Sequence, residues 1–400
     1  MVGFALVLLC GYVGIGVAQM TATSGQKLSD AIGKLQGKGG QLFFPCGRYE
    51  ADNTVNVQAN GVYLRGSGYC SQIVVTTSRD LFNVTGELFV LEGFEIVVDA
   101  TADRSGAAMV RGNGTQGLIS HVRFSGSYKL GNNGYVYYAN SPQGGGWFFE
   151  DIRMTGGTTW RAFLSLSSAT GKTVASTWVT TTGGGVSFTD AAFDLNGAID
   201  TLQIAQTDFS LRGGRVFWLR NTVGAPIAPR WVMCSNCVIE TRGSTAIQLD
   251  ASRDFSYHGC IAGADLAVYV GKGAADTDIS NTIIVSTMKG GITIDAGAVN
   301  TLVKDNFFED TSNGGANAYD TITVESGATD FQIAGNMWRS TNNYKARYAI
   351  NLSGASNSYR VVNNQIPANA YSSGATRNVG GGANFVVSGN SGTPDKSSVK

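Results

Sequence analysis

The sequence predicts an all-β protein, folded as a single-stranded parallel β-helix of about 11–13 stacked coils. Short alternating strand patterns return with a period of about 27 residues along most of the chain. A small polar residue recurs at the same place in many periods, and Gly, Asn, Ser and Asp separate the strands as turn residues do. A β-propeller is the rival fold, but each of its blades needs about 40 residues and four strands.

The composition excludes several other classes of protein. The chain has 400 residues with 29 basic and 29 acidic side chains, so its net charge is zero and a polybasic nucleic-acid binder is excluded. Hydrophobic residues make up 43% of the chain, which is enough for a packed core and argues against a disordered protein. The 54 glycines follow no Gly-X-Y period, so a collagen-like helix is excluded.

The N-terminus is apolar and uncharged. Residues 2–18 are almost wholly apolar, and the small residues Gly16 and Ala18 stand at positions that a signal peptidase reads. We therefore expect a secretory signal peptide over residues 1–18. Because no Lys or Arg precedes the apolar run, two alternatives stay open: an uncleaved membrane anchor, and a buried terminal segment of a phage structural protein.

Residues 24–37 predict an amphipathic helix that caps the open end of the solenoid. Leu28, Ile32 and Leu35 follow the i, i+4, i+7 spacing of one helix face, and Gly37 supplies a stop. A cap is expected because the last strands of a solenoid otherwise present unpaired edges. We expect the coils to fill residues 38–392, followed by a flexible tail over residues 393–400.

An inward-facing column of small polar residues is expected at one corner of the coils. Neighbouring coils lie about 4.8 Å apart, so a side-chain amide in one coil reaches the backbone of the next. The predicted asparagine ladder consists of Asn236, Asn306, Asn336, Asn364 and Asn390.

A second strand in each coil carries the predicted binding residues. Its apolar residues point inward: Phe217, Leu219, Ile247, Leu249, Val268, Val270, Ile292, Ile294, Ile322 and Val324. One outward column is then Trp218, Gln248, Tyr269, Thr293, Thr323 and Asn351, and the next is Arg220, Asp250, Gly271, Asp295, Glu325 and Ser353. Because aromatic faces suit sugar rings, we predict that substrate is bound by Trp218, Tyr269, Arg220 and Gln248.

The predicted catalytic residues are Asp295, Glu325 and Asp250. Asp295 and Glu325 on adjacent coils would be about 5 Å apart, the separation found in retaining glycosidases. Asp250 and Asp295 would be about 9.5 Å apart, at the upper edge of the inverting range. The alternative is that these acids only solvate turns.

Other charged groups give competing candidates. Asp190, Asp194 and Asp208 fall on neighbouring coils, and Asp151 falls in the ladder column, where a turn-capping role is expected. A lyase would need a base such as His258, Lys272 or a tyrosine, with Arg220 or Arg253 neutralising a uronate carboxylate.

Five cysteines follow the apolar N-terminal segment. Cys46 and Cys70 are separated by about one coil, and so are Cys237 and Cys260; we expect each pair to stack on adjacent coils, as disulfides or as thiols. Cys234 and Cys237 have C-x-x-C spacing, which suits a redox site or half of a zinc site. No second C-x-x-C is present, and the sequence predicts neither a metal site nor a cofactor; calcium is not evident from it.

The N-terminal order of motifs resembles the pectate-lyase-like (pectin-lyase-fold) superfamily. After the predicted helix come Gly-Gly-Gln-Leu-Phe-Phe-Pro-Cys-Gly-Arg-Tyr at residues 39–49 and Gly-Val-Tyr-Leu-Arg-Gly-Ser-Gly at residues 61–68. The resemblance implies a right-handed parallel β-helix of the kind found in secreted polysaccharide lyases, glycoside hydrolases, epimerases and phage tailspike depolymerases. The catalytic motifs of polygalacturonases and pectate lyases are absent, so the chemistry does not follow from the resemblance.

These observations favour an extracellular carbohydrate-active protein that binds and cleaves a polysaccharide. The alternatives are a phage tailspike acting on a capsule or O-antigen, which would be a homotrimer, and a non-catalytic glycan-binding adhesin. The expected partner is a polysaccharide, with no nucleic acid and no membrane once the signal peptide is removed. Apart from the tailspike case, a monomer is expected.

Overall fold

The chain folds as a parallel β-solenoid of about 12 turns, which confirms the predicted fold class. The structure, a computed structural model, describes residues 20–35, 37–112, 116–140, 146–169, 177–182, 185–341, 344–378, 382–391 and 396–398. The predicted signal peptide over residues 1–18 lies outside the described residues, as does most of the predicted tail. The described residues form short strands joined by turns, together with one short helix.

The strands follow one another with a single short helix near the N-terminus of the described chain. In chain order the elements are β1 (Met20–Thr21), α1 (Leu28–Gly33), β2 (Gly40–Phe44), β3 (Gly47–Ala51), β4 (Val55–Val57), β5 (Val62–Gly66), β6 (Ser71–Val75), β7 (Phe82–Val84), β8 (Phe89–Val98), β9 (Ala108–Gly112), β10 (Gly117–Ser125), β11 (Tyr135–Asn140), β12 (Trp147–Met154), β13 (Thr159–Trp160), β14 (Ala162–Ser168), β15 (Thr177–Thr182), β16 (Ser187–Gly197), β17 (Asp200–Ala205), β18 (Asp208–Ser210), β19 (Gly213–Arg220), β20 (Arg230–Ser235), β21 (Val238–Glu240), β22 (Thr245–His258), β23 (Ile261–Gly263), β24 (Leu266–Ser280), β25 (Ile283–Val285), β26 (Ile292–Ile294), β27 (Val299–Lys304), β28 (Phe307–Glu309), β29 (Ile322–Val324), β30 (Gln332–Ala334), β31 (Met337–Arg339), β32 (Ala346–Leu352), β33 (Tyr359–Val362), β34 (Tyr371–Asn378), β35 (Phe385–Ser388) and β36 (Lys396–Ser398).

Parallel pairing stacks these strands into three files that run along the solenoid. The first file includes β17, β20, β27 and β30, the second includes β18, β21, β23 and β25, and the third includes β14, β19, β26 and β29. The long strands β22 and β24 bend between the third file and the first. Among the described strands, β35 and β36 form the one antiparallel pair.

The core is a continuous column of apolar side chains inside the coils. All ten residues predicted to point inward in the third file are buried, from Phe217 and Leu219 through to Ile322 and Val324. The residue between the two inward residues of each strand points outward, because successive side chains of a strand alternate between its faces. The period-2 pattern of the sequence therefore gives the correct inward set.

The corner between the first and second files carries the predicted ladder. Asn336 is fully buried; its Oδ1 accepts hydrogen bonds from the backbone N–H and the side-chain amide of Asn306, at 3.0 and 3.1 Å. Its own amide donates to Val303 O and to Asn364 Oδ1, at 3.0 and 2.9 Å. Asn364 bonds Asn390 in the same way. Each amide thus satisfies backbone groups that the corner would otherwise leave unpaired.

One predicted member of the ladder is wrong. Asn236 is exposed and has a left-handed backbone with φ 54°, while the next residue, Cys237, points inward and takes the ladder position. The same shape recurs at other coils, where Asp305 and Asn363 have φ 54° and 55° just before ladder asparagines. Asn and Asp tolerate this conformation better than most residues, so the corner selects them at the position before the ladder.

The helix α1 is shorter than the predicted helix over residues 24–37. It buries Leu28 and Ile32, as predicted, together with Ala31, and it packs against β3 and β4. Its role as a cap stays a prediction. Within the described part of the chain, no helix has the length and apolar character needed to cross a membrane.

We expect Asn336→Ala to lower the free energy of unfolding by about 2–4 kcal/mol, because four buried partners lose a hydrogen bond at once. The measurement is urea unfolding followed by circular dichroism. The matched control is Asn53→Ala, since Asn53 is exposed and has one weak bond of 3.4 Å to Asp52. Equal losses in the two variants would contradict a structural role of the ladder.

Candidate functional site

The outward positions of the third file form one continuous row, called here the outer file. Strand register aligns its members along the solenoid: Asn56, Asn83, Arg111, Tyr138, Ser165, Asp194, Trp218, Gln248, Tyr269, Thr293, Thr323, Asn351 and Arg377. Each step is one strand spacing, so the stretch from Arg111 to Tyr269 is roughly 30 Å long. Aromatic and charged residues concentrate in this stretch, while Asn and Thr flank it.

Two arginines and two tyrosines occupy the N-terminal end of this stretch. The Arg111 guanidinium lies 4.5 Å from the centre of the Tyr138 ring and forms an ion pair with Asp80. The Tyr135 and Tyr138 rings are 4.9 Å apart, and Arg161 lies over Tyr135 at 5.1 Å. Burial raises the pKa of Tyr135 to about 12, so its hydroxyl stays protonated.

An open pocket adjoins this end of the outer file. Its volume is about 460 Å³, and its lining includes Asp80, Arg111, Arg79 and Asp103. The hydrogen bond from Ser105 lowers the pKa of Asp103. The pocket therefore offers charged and hydrogen-bonding groups of both signs.

The middle of the outer file is built around Trp218. The guanidinium of Arg220 lies 3.9 Å from its ring centre, and that of Arg215 lies at 4.6 Å. Arg220 also holds the buried Asp194 through two hydrogen bonds of 3.0 and 2.9 Å. Burial raises the pKa of Asp194, although the pairing with Arg220 opposes that shift.

Asp250 is fixed by two residues of the outer file. Trp218 Nε1 donates to one carboxylate oxygen at 2.7 Å, and Gln248 Nε2 donates to the other at 2.8 Å. The amide oxygen of Gln248 in turn accepts a hydrogen bond from Arg215 Nε at 2.6 Å. The structure thus brings Trp218, Gln248 and Asp250 into one hydrogen-bond network, and this network fixes the position of the Trp218 indole.

Asp295 and Glu325 follow the adjacent strands β26 and β29 but make contacts in opposite directions. Asp295 accepts a hydrogen bond from the Tyr269 hydroxyl, on the side of Asp250. Glu325 accepts one from Ser353 Oγ at 2.6 Å, on the far side. Burial, followed by the hydrogen bond to Asp295, raises the pKa of Tyr269 to about 12. Asp250 and Asp295 therefore lie on the coils before and after Tyr269, and the Tyr269 hydroxyl bonds Asp295, while Glu325 bonds the coil that follows it.

Glycine is required beside this tyrosine. A Cβ on Gly271 would lie 2.8 Å from the carbonyl oxygen of Leu249 and 3.0 Å from the Tyr269 ring. The space that Gly271 leaves lets the ring lie against the strand between Asp250 and Asp295.

The competing candidates lie elsewhere or are paired. Asp190 binds Arg161 at 2.7 Å, which places it at the Tyr135 end of the site. Asp208 is exposed on the second file, away from the outer file. His258 lies at the end of β22, where its Nδ1 contacts Ser280 Oγ at 2.6 Å.

Sequence reasoning missed the N-terminal half of the outer file. Arg111 and Tyr138 belong to it, and Asp194 is an outer-file member that the sequence placed only in a competing cluster. A signal was present, because residues 136–139, 163–166 and 192–195 repeat the apolar-apolar-x-apolar pattern of residues 216–219. Extending the column upstream would have found these residues.

The structure also tests the expectations about cysteine. Cys46 and Cys70 form a disulfide, and Cys237 stacks on Cys260 in the next coil, as predicted. Together with Cys234 they form a buried cluster of the kind that can hold a metal ion, inside the core and separate from the outer file.

Comparison with solved structures gives similarity in fold. The A-module of mannuronan C-5 epimerase AlgE4 from Azotobacter vinelandii is 14% identical, with 90% of this chain and 94% of that chain covered and a TM-score of 0.42. The catalytic domain of a GH87 α-1,3-glucanase in complex with nigerose is 11% identical, with 94% and 69% covered and a TM-score of 0.41. Tailspike protein 3 of bacteriophage CBA120 is 14% identical, with 92% and 60% covered and a TM-score of 0.44.

These proteins are parallel β-helix proteins, as is this chain. No protein-family model and no curated protein sequence matches it.

We expect the stabilising effect of Tyr269 to disappear in alkali. Its pKa is about 12 in the folded chain and about 10 in the unfolded chain. The folded state therefore binds more protons between these values, and the free energy of unfolding falls as the pH rises through that range. Urea unfolding of the wild type and of Tyr269→Phe should show a constant difference from pH 7 to 9 and a shrinking one above pH 10. A difference that stays constant to pH 12 would contradict the burial of this hydroxyl.

Proposed function

We propose that this protein is an extracellular carbohydrate-active β-helix that binds a polysaccharide along the outer file. The observation that carries the proposal is the register that aligns Tyr138, Trp218 and Tyr269 with charged hydrogen-bonding groups on one face of a rigid stack. An extended glycan is a linear ligand, and this row offers it roughly 30 Å of aligned contacts. The Cys46–Cys70 disulfide supports an extracellular location, because disulfides persist in oxidising compartments.

The charges of the row favour a neutral glycan. Arg111, Arg161 and Arg220 each form an ion pair with an aspartate of a neighbouring strand or coil. Their positive charge is therefore already balanced, and a uronate carboxylate would have to displace an aspartate. At the other end, Asp250 and Asp295 accept hydrogen bonds from neutral donors. An anionic chain would meet these carboxylates with like charge.

Cleavage is proposed at the acidic end of the row, around Tyr269. Asp250 and Asp295 lie on either side of it, two strand spacings or about 9.5 Å apart, which is within the range of inverting glycosidases. In such a reaction one carboxyl group protonates the leaving oxygen and the other activates a water molecule. The contacts of Glu325 with Ser353 make the retaining pair Asp295–Glu325 the less favoured arrangement.

A binding-only role is the second candidate. Both oxygens of Asp250 and both oxygens of Asp295 already accept hydrogen bonds from the protein. This observation favours a fixed recognition surface, as in an adhesin. Substitutions of Trp218, Asp250 and Asp295 distinguish such a binding role from catalysis.

We expect Trp218→Ala to weaken binding of neutral polysaccharides about tenfold, because it removes an aromatic wall and the donor that holds Asp250. Affinity electrophoresis over a panel of neutral and anionic polysaccharides measures the effect. The matched control is Trp231→Ala, since Trp231 is exposed on the first file and also has an arginine over its ring, at 4.5 Å. Equal loss in the two variants, or salt-sensitive binding of the anionic members alone, would contradict the proposed surface.

We expect Asp295→Asn and Asp250→Asn each to lower the hydrolysis rate by at least about 100-fold, the usual effect of losing a general acid or base. Release of reducing ends measures the rate, with Asp208→Asn as the control on another face. If Glu325→Gln loses the hydrolytic activity while Asp250→Asn stays active, the catalytic residues are the retaining pair Asp295–Glu325 and not the inverting pair. If no polysaccharide of the panel releases reducing ends but Trp218→Ala still weakens binding, the protein is a glycan-binding adhesin and not an enzyme.

A further inference from the structure

Three cysteines from two neighbouring coils meet in the core. Cys234 lies in β20, Cys237 follows the corner at Asn236, and Cys260 takes the equivalent corner position one coil later. Their exposures are 1%, 2% and 1%, and their Sγ atoms all lie within 4.8 Å of one another. The fold therefore assembles a thiol cluster by bringing Cys260 to Cys234 and Cys237, which precede it by 26 and 23 positions.

Cys237 contacts both of the other cysteines. Its Sγ lies 2.6 Å from Sγ of Cys234, closer than two sulfur atoms that merely touch. Its backbone N–H donates to Sγ of Cys260 at 3.3 Å. The second contact copies the ladder geometry, in which the N–H of Asn306 donates to Oδ1 of Asn336. Cys237 is thus in reach of one sulfur within its own coil and of another in the next coil.

The surroundings favour at most one thiolate in the cluster, at Cys260, because the hydrogen bonds from Cys234 and Cys237 lower the pKa of its thiol to about 4. Its polar neighbours are backbone carbonyls and the buried Tyr257, with the carbonyl of Ile204 4.0 Å from Sγ of Cys237. Burial raises the pKa of the Cys234 thiol well above its usual range. A metal bound by three thiolates would place net negative charge in this apolar interior, whereas a disulfide is neutral and needs no counter-charge.

We propose that Cys234, Cys237 and Cys260 form a buried redox site that holds one disulfide, shared between Cys237 and either of its two neighbours. This inference stands on the core geometry and does not depend on carbohydrate binding. The intracoil form joins Cys234 to Cys237, and the intercoil form joins Cys237 to Cys260.

The chemistry balances with a small-molecule disulfide, such as oxidised glutathione, as the oxidant. While the coils are open during folding, two cysteine thiols lose two electrons and two protons, and the oxidant is reduced to two thiols. Exchange between the two forms needs no further oxidant. The Cys260 thiol gives up its proton and its thiolate attacks Sγ of Cys237. The bond between Cys237 and Cys234 breaks, and Cys234 leaves as a thiolate that takes up the proton released by Cys260.

The site lies on the coils that carry the candidate function. The strand β22 holds Gln248 and Asp250 in its first half and leads two residues later to Cys260. An intercoil disulfide would therefore tie this coil covalently to the preceding one.

The first test uses the full-length wild-type chain, refolded in a glutathione redox buffer, alkylated in denaturant and digested with trypsin. Cys234 and Cys237 share the peptide of residues 231–242, and Cys260 lies in the peptide of residues 254–272. We expect the first peptide either to lack two hydrogens and carry no alkyl group, or to be linked to the second. Full alkylation of all three cysteines would overturn the proposal.

The second test separates the two forms. Cys260→Ser is expected to keep the intracoil disulfide, and Cys234→Ser to keep the intercoil one, while Cys237→Ser is expected to form neither. A disulfide between Cys234 and Cys260 in Cys237→Ser, formed as fast as in the wild type, would overturn the central position of Cys237. The wild-type mass measurement still decides if a variant does not fold.

A third measurement tests whether the cysteine cluster binds a metal ion instead of forming a disulfide. Wild-type chain folded with Zn²⁺ or Cd²⁺ under reducing conditions is passed through a desalting column and assayed for retained metal. We expect no stoichiometric metal. Retention of one ion per chain that protects all three cysteines from alkylation would replace the redox site with a metal site.

Discussion

The register between successive coils is the constraint on which the rest of the structure depends. Backbone hydrogen bonds between parallel strands set the spacing, and the ladder from Asn306 to Asn390 fixes the corner where neighbouring coils could otherwise slip. A slip by one residue would move every inward side chain to the surface. Because a buried amide without partners is costly, the ladder penalises such a slip at each coil.

The outer file is a consequence of that register. None of its members is close to another in sequence, yet each lies one strand spacing from the next. Ion pairs between strands, such as Arg220 with Asp194 and Arg347 with Asp320, cross the same spacing. The side chains are thereby held in place by the protein itself, which would lower the entropy cost of the proposed binding to an extended glycan. Rigidity of the stack and preorganisation of the row have the same origin.

Much of this arrangement follows from local pattern. The period of about 27 residues and the inward set of the third file come directly from alternation. The column from Trp218 to Tyr269 is correct because the strands pair in register at these positions, and the register shift after Leu249 comes beyond them. Prediction failed at one corner: Asn236 and Cys237 are adjacent, and only the left-handed backbone at Asn236 decides which of them points inward. The helix α1 is shorter than the helix predicted over residues 24–37, although the buried residues Leu28 and Ile32 are those predicted.

The sequence by itself determined the solenoid, its ladder and one outward column, because these depend on a residue pattern that is present within each coil. Only the tertiary structure decided which hydrogen-bond partners the side chains beside that column have. Asp295 bonds Tyr269 and Glu325 bonds Ser353, so two carboxylates that the sequence pairs are held apart by partners on opposite coils. It also decided that Cys234, Cys237 and Cys260 form one cluster. The physical reason is that a pattern fixes the direction of a side chain, whereas its partner depends on distances between coils.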